Sequence, residues 1–370
     1  MRLLYLLALI LAFTSCDDTE PIIDIDDNPQ DTIESIYFPP ANNLGWERTS
    51  PDSLGWDMDA VSSLYDLLET NGTRAFVVLV DGKIVLEKYF GKDLLNIADF
   101  SSTSDWYWAS AGKTLTAGLV GIAQEQGYLN INDFTTDYLG RGWTSMTEEQ
   151  EDAITIWHQL TMTSGFDDFI IDNHSTDPSK LRFKADPGTR WAYHNAPYTL
   201  LDAVVESAVD DEFENYFNSE LRDKIGMDGN WIWSGHNHIY FSSALSMARY
   251  GWLIANDGKW EDEQVIQDVD FINAMRTPSQ DINNSYGYLW WLNGKEDHML
   301  PSLQITFPGS LAPSGPVDMY SGIGKNGQYL NVIPSLNMVM VRMGDNPEEV
   351  AVPLLFQRDM WDAMNEVLGR

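Results

Sequence analysis

Trp108-Ala109-Ser110-Ala111-Gly112-Lys113 opens a segment in which Leu115, Leu119 and Ile122 follow in helical register until Gly127. Ser-x-x-Lys places a hydroxyl and an amine at i and i+3, on one face of a first helical turn. A serine hydroxyl is a poor nucleophile at neutral pH and needs a nearby base. A lysine whose pKa is lowered by burial can serve. The start of a helix also offers unpaired backbone N–H groups to a developing oxyanion. Alone the pattern is common, and it equally describes a helix-capping serine beside a solvated lysine.

Two further stretches bear on it. Pro187-Gly188-Thr189-Arg190-Trp191-Ala192-Tyr193-His194-Asn195 contains Tyr-x-Asn. A tyrosine whose pKa is lowered by neighbouring cations can act as general base, and an asparagine can donate to a substrate carbonyl. Gly322-Ile323-Gly324-Lys325-Asn326-Gly327-Gln328 leads into an apolar run ending at Ile333. Glycines let a strand approach a substrate closely enough for its N–H groups to face a reacting carbonyl. Each stretch alone also reads as a loop or turn.

Taken in order and spacing, the three resemble the serine β-lactamase and penicillin-binding superfamily. The flanking stretches fit the resemblance: Gly118 to Asp133, Ile154 to Gly165, and Ala248-Arg249-Tyr250-Gly251 through Gly258. It is closest to the class C-like branch, which also holds esterases, D-amino-acid peptidases and 6-aminohexanoate-dimer hydrolases. The resemblance implies an acyl-enzyme on Ser110, with Lys113 and Tyr193 sharing the proton traffic. It implies that Asn195 places substrate and tunes Lys113, and that Gly324, Lys325, Asn326 and Gly327 flank the substrate. The backbone N–H groups of Ser110 and Lys325 would form the oxyanion hole. Penicillin-recognising members carry Lys-Thr-Gly or His-x-Gly on the third element. Here Gly324-Lys325-Asn326-Gly327-Gln328 is closer to the Gly-x-x-Gly-Gln of esterase and amide-hydrolase relatives. Weak or no β-lactamase activity is therefore expected.

Around this nucleus the periodicity predicts a helix over residues 58–70, stopped by Asn71-Gly72. Residues 76–80 and 84–89, joined by Asp81-Gly82, read as a hairpin. Residues 128–283 read as mostly helix and loop, with a helix over 242–256. Strands are expected at 286–292, 328–333 and 336–343, and a terminal helix at 354–368. The expected fold is α+β: an antiparallel sheet built from both chain ends and flanked by helices, with a mostly helical lobe inserted between them. Folded structure is expected from about residue 51 to 370.

The N-terminal residues read differently. Arg2, an apolar run over residues 3–13 and the small pair Thr14-Ser15 precede Cys16, the one cysteine of the chain. The run is too short to span a bilayer and resembles a bacterial lipoprotein signal of residues 1–15. That resemblance implies lipidation of Cys16, with residues 16–50 as an acidic tether and the protein held at the bacterial cell envelope. With a formal net charge of −34, the chain repels nucleic acid and anionic lipid, so any membrane contact is expected only through that lipid. The expected partner is a small-molecule or peptide acyl substrate.

Rival chemistries find less support. No Gly-x-Ser-x-Gly elbow occurs. His158 and His194 fall inside the stretches above. His236-Asn237-His238 reads either as surface-loop histidines or as alternate metal ligands, with no His-Glu-x-x-His and no cysteine to complete a site. No metal or cofactor is implied. Three functions stay open: an acyl hydrolase of small esters or amides, a D-Ala-directed peptidoglycan peptidase, and a catalytically silent binding protein of the same fold.

Overall fold

The Asp81-Gly82 hairpin forms. In the computed structural model, which describes residues 36–41, 45–350 and 352–370, strand Thr73–Val80 pairs antiparallel with Lys83–Tyr89. Asp81 and Gly82 both take positive φ, 52° and 80°, as the tight turn matching strand twist requires. The other edge of Thr73–Val80 is filled from the far end of the chain by Met338–Gly344, in the register Val77 opposite Val341. The sheet continues through Gln328–Ile333 and Tyr320–Gly324 to Trp291–Leu292, six strands, each antiparallel to its neighbours.

Gln328–Ile333 and Met338–Gly344 are buried along their whole lengths, as a sheet covered on both faces demands. Alternation sends successive side chains to opposite covers. Leu330 and Val339 come so close to Gly251 of helix Ala244–Ala255 that a Cβ there would lie 2.7 Å from each. Asn331 and Arg342 meet the terminal helix Leu354–Val367, through Gln357 and the Phe356 ring respectively. That helix packs against Met58–Thr70. The fold is α+β, as the strand and helix order implied.

In sequence, between the strands supplied by the two ends of the chain, comes helix Lys113–Glu125, of which residues 113–123 are all buried. Such a helix is core rather than amphipathic surface. Each of its large apolar side chains contributes about 1.5–3 kcal/mol by burial. Against it lies Asn195–Val209 of the inserted lobe.

The inserted lobe, mostly helix and loop, also carries a hairpin of Asn230–Ser234 and Asn237–Ser242, extended by Trp106–Tyr107 into a small sheet. Two expectations need correction. The expected strand over 286–292 shrinks to Trp291–Leu292, because Leu289 takes φ 60° and its N–H donates to Leu160 O instead. Structure also begins before residue 51. Trp46 Nε1 donates to Gly82 O at 2.7 Å, Arg249 donates to the carbonyls of Pro39 and Pro40, and Phe38 packs on Trp252 and Trp260. The aromatic residues Tyr37, Phe38 and Trp46 anchor what composition had assigned to a tether. The signal segment and Cys16 lie outside the described residues.

Candidate active site

Trp108 fixes the entry to the site. Its ring is fully buried, its Nε1 donates to Ser242 Oγ at 2.7 Å, and its N–H donates to Tyr240 O at 2.9 Å. Ala109 then takes φ 48°, a left-handed conformation that an alanine adopts at a cost of about 1–3 kcal/mol. Ser110 follows in a 3-10 turn, Ala109–Gly112, which runs directly into helix Lys113–Glu125. In a 3-10 turn residues i and i+3 eclipse. Lys113 is thereby stacked over Ser110, and its Nζ donates to Ser110 Oγ at 2.9 Å.

Lys113 is almost wholly buried, and Nζ donates also to Asn195 Oδ1 at 2.8 Å. The Tyr198 and Tyr193 rings lie 4.3 and 5.2 Å from Nζ. Lys113 makes no ion pair among the described residues. Burial without a carboxylate disfavours the ammonium form and brings the Lys113 pKa down to about 7. Asn195 is the first residue of its helix, and His194 caps it by accepting from Ala196 N through Nδ1. Burial lowers the His194 pKa to about 4, so the capping imidazole is neutral.

Tyr193 departs from expectation. Its ring stacks on Trp291, with centroids 5.8 Å apart and planes 19° apart. Burial raises its pKa well above the ordinary phenol value, and a hydrogen bond with the Ser110 side chain offsets this only in part. No charged neighbour offsets the burial further. Tyr193 is a phenol at neutral pH, not a phenolate.

The third element comes within contact of the first. A Cβ on Gly324 would lie 2.3 Å from Trp108 O and 3.1 Å from Ala111 N, so only glycine lets the strand pass the serine turn. Ser110, Lys113, Tyr193, Asn195 and Lys325 line one cavity of about 370 Å3. Asn326 and Gly327 do not line it. Both take positive φ and turn the chain away. Asn326 Nδ2 donates to Tyr107 Oη at 2.8 Å, and the carbonyls of Asn326 and Gly327 accept from Arg342 Nη1 at 2.7 and 3.0 Å. Their role is to shape the turn beside Lys325.

Sequence reasoning missed several cavity residues: Asn173, His174, His238, Tyr198 and Trp291. His174 Nδ1 is 2.9 Å from Asn237 Oδ1, and its Nε2 is 3.5 Å from Asn195 Nδ2. His174 stands in a loop with no periodic pattern, so nothing local marks it. His238 had a signal. Trp231, Ile232, Trp233, then Ser234-Gly235-His236, then Ile239, Tyr240, Phe241 is a hairpin pattern. It sends His238 inward to 5% exposure, unlike a surface-loop histidine.

The fold recurs in solved structures. A candidate 6-aminohexanoate-dimer hydrolase from Bacillus anthracis aligns over 90% of both chains, with TM-score 0.67 and 16% identity. A candidate beta-lactamase from Bacteroides dorei DSM 17855 aligns over 85% of this chain and 100% of its own, with TM-score 0.66 and 15% identity. A penicillin binding protein from Bacillus halodurans aligns over 83% and 99%, with TM-score 0.58 and 17% identity. No curated protein sequence matches. The profile of the family described as Beta-lactamase matches residues 69–351, about three quarters of the chain and all three elements of the site. The chain belongs to the beta-lactamase family.

Proposed function

We propose that the protein is a serine hydrolase that cleaves a small ester or amide through an acyl-enzyme on Ser110. The observation that carries this reading is Lys113: a buried amine with its pKa near 7, in hydrogen-bond contact with a serine hydroxyl. In its neutral form the amine accepts the Ser110 proton as Oγ attacks the acyl carbon. The oxyanion faces the N–H groups of Ser110 and Lys325, which Gly324 allows to approach. The intermediate collapses with loss of the alcohol or amine, which takes a proton through the Tyr193 phenol and Lys113. Water then adds to the acyl carbon, the Oγ–acyl bond breaks, and the acid leaves as the proton lost by water returns to Ser110 Oγ.

A fluorophosphonate tests the reading. Intact mass should show one adduct on the parent protein and none on Ser110→Ala. A panel of short esters, amides and D-Ala-terminated peptides then separates the acyl hydrolase from a peptidase of the same fold. An unlabelled parent whose cavity is open to small ligands would favour a silent binding protein. Since the third element lacks Lys-Thr-Gly and His-x-Gly, nitrocefin turnover should stay well below enzyme-like rates of about 10 per second. We also propose, on the sequence signal at residues 1–16, that Cys16 carries a lipid anchor in a bacterial envelope. Cys16→Ser should move the protein from the membrane to the soluble fraction.

A further inference from the structure

Beside the Ser110 cavity lies a larger one of about 750 Å3, and His238 lines both. Asp202, Glu206, Asp210, Asp211, Glu212 and Glu214 line the second cavity, and no lysine or arginine does. Two features distinguish it from a solvated acidic surface. Asp202 is 5% exposed and its Oδ1 has no hydrogen-bond partner. Its Oδ2 is 2.8 Å from His238 Nδ1, and His238 Nε2 is 3.4 Å from Glu214 Oε1. Trp233 lies flat on His238, with centroids 4.4 Å and planes 5° apart, and is 57% exposed. One indole face is therefore covered by the imidazole and the ring as a whole stays open to a ligand.

A buried carboxylate oxygen without a donor costs about 1–3 kcal/mol, and a cation held in the adjoining cavity offsets part of that cost through its field. An aromatic face beside carboxylates is the chemistry that holds an ammonium or quaternary ammonium group. The same wall repels anions, and the chain's net charge of −34 concentrates cations near it. We propose that this cavity takes the cationic end of the substrate. The carbonyl reaches Ser110, and the arm passes His238 so that its ammonium lies among Asp202, Glu214 and Trp233. The assignment of substrate class rests on the hydrolase reading of the Ser110 cavity.

Two matched ester series test it, one with trimethylammonium on the acyl chain and one with it on the alcohol, each against its neutral tert-butyl isostere. In one series kcat/KM should favour the cation by about ten-fold or more at low ionic strength. That ratio should shrink at roughly 0.5 M salt and fall toward one in Glu214→Gln and Asp202→Asn. A ratio near one in both series overturns the proposal, as does a ratio that both variants leave unmoved. Calorimetry with Ser110→Ala reads the cavity without turnover. The cationic ester should bind about ten-fold more tightly than its isostere, and equal binding overturns the proposal. If the parent hydrolyses neither series but Ser110→Ala keeps the cation preference, the hydrolase reading fails and the cation site stands.

Discussion

Lys113 Nζ lies 2.8 Å from Asn195 Oδ1, joining the first residue of one helix to the first residue of another across 82 positions of sequence. This contact holds a buried amine with its pKa near 7. Below that pH the amine is protonated and cannot accept the Ser110 proton. Above it the lone pair is free. Ester kcat/KM should therefore rise with pH through about 7 and level off. Asn195→Asp places a carboxylate beside the amine, stabilises the ammonium and should move the limb to higher pH. Steady-state profiles of both proteins check this, and a flat profile in the parent would refute the role of Lys113.

Lys113→Met should lower activity by about a thousand-fold or more while raising stability. An unfolded lysine titrates near 10.5 and the folded one near 7. Between these values the unfolded chain holds the extra proton, so the parent gains stability as pH rises across that window. The advantage of methionine should be greatest below pH 7 and fade toward pH 10.5. Thermal melts of both proteins at acidic and alkaline pH measure it.

Tyr193→Phe should cost about a hundred- to ten-thousand-fold in kcat and leave the limb near pH 7 in place. Burial keeps the phenol protonated throughout that range, so its loss removes a proton donor rather than the titrating base. A profile in which the limb disappears would reassign the base to Tyr193.

Gly324→Ala drives a methyl group to 2.3 Å from Trp108 O. The strand must retreat from the serine turn, at a cost of about 1–3 kcal/mol in stability and about a hundred-fold or more in rate as the Lys325 N–H moves off the oxyanion. Gly112→Ala in the same turn meets nothing nearer than 3.7 Å and should fold with nearly parental stability. Denaturant melts and ester turnover of the two variants separate a packing requirement at Gly324 from general intolerance of the turn.

Most of what positions Ser110 could be read locally. The Asp81-Gly82 turn, helix Met58–Thr70 and the terminal helix follow from period and punctuation. Ser110, Lys113, Tyr193 and Asn195 were recognisable as one set because three short stretches occur in a known order, and folding brings them to one cavity. What escaped was decided by contacts distant in sequence. Arg342 reads as a strand residue, yet its guanidinium donates to the carbonyls of Asn71, Asp345, Asn326 and Gly327 and to Thr73 Oγ1. No window of sequence announces that convergence. The direction of the Tyr193 pKa is hidden from the sequence for a related reason. The sequence shows a lysine motif nearby but not the burial that keeps the phenol protonated and the lysine half neutral.

The pairing of Thr73–Val80 with Met338–Gly344 has a consequence in time. A chain emerging from the ribosome amino end first can form the Asp81-Gly82 hairpin early, but the strand that neighbours it in the sheet, Met338–Gly344, is synthesised much later. The turn carrying Ser110 leans on Gly324 of the same late segment. A nascent chain that lacks this segment therefore holds Ser110 without the strand that completes the cavity. Long-range pairing of this kind closes slowly, so the cavity around Ser110 should be completed only after Met338–Gly344 has emerged and paired.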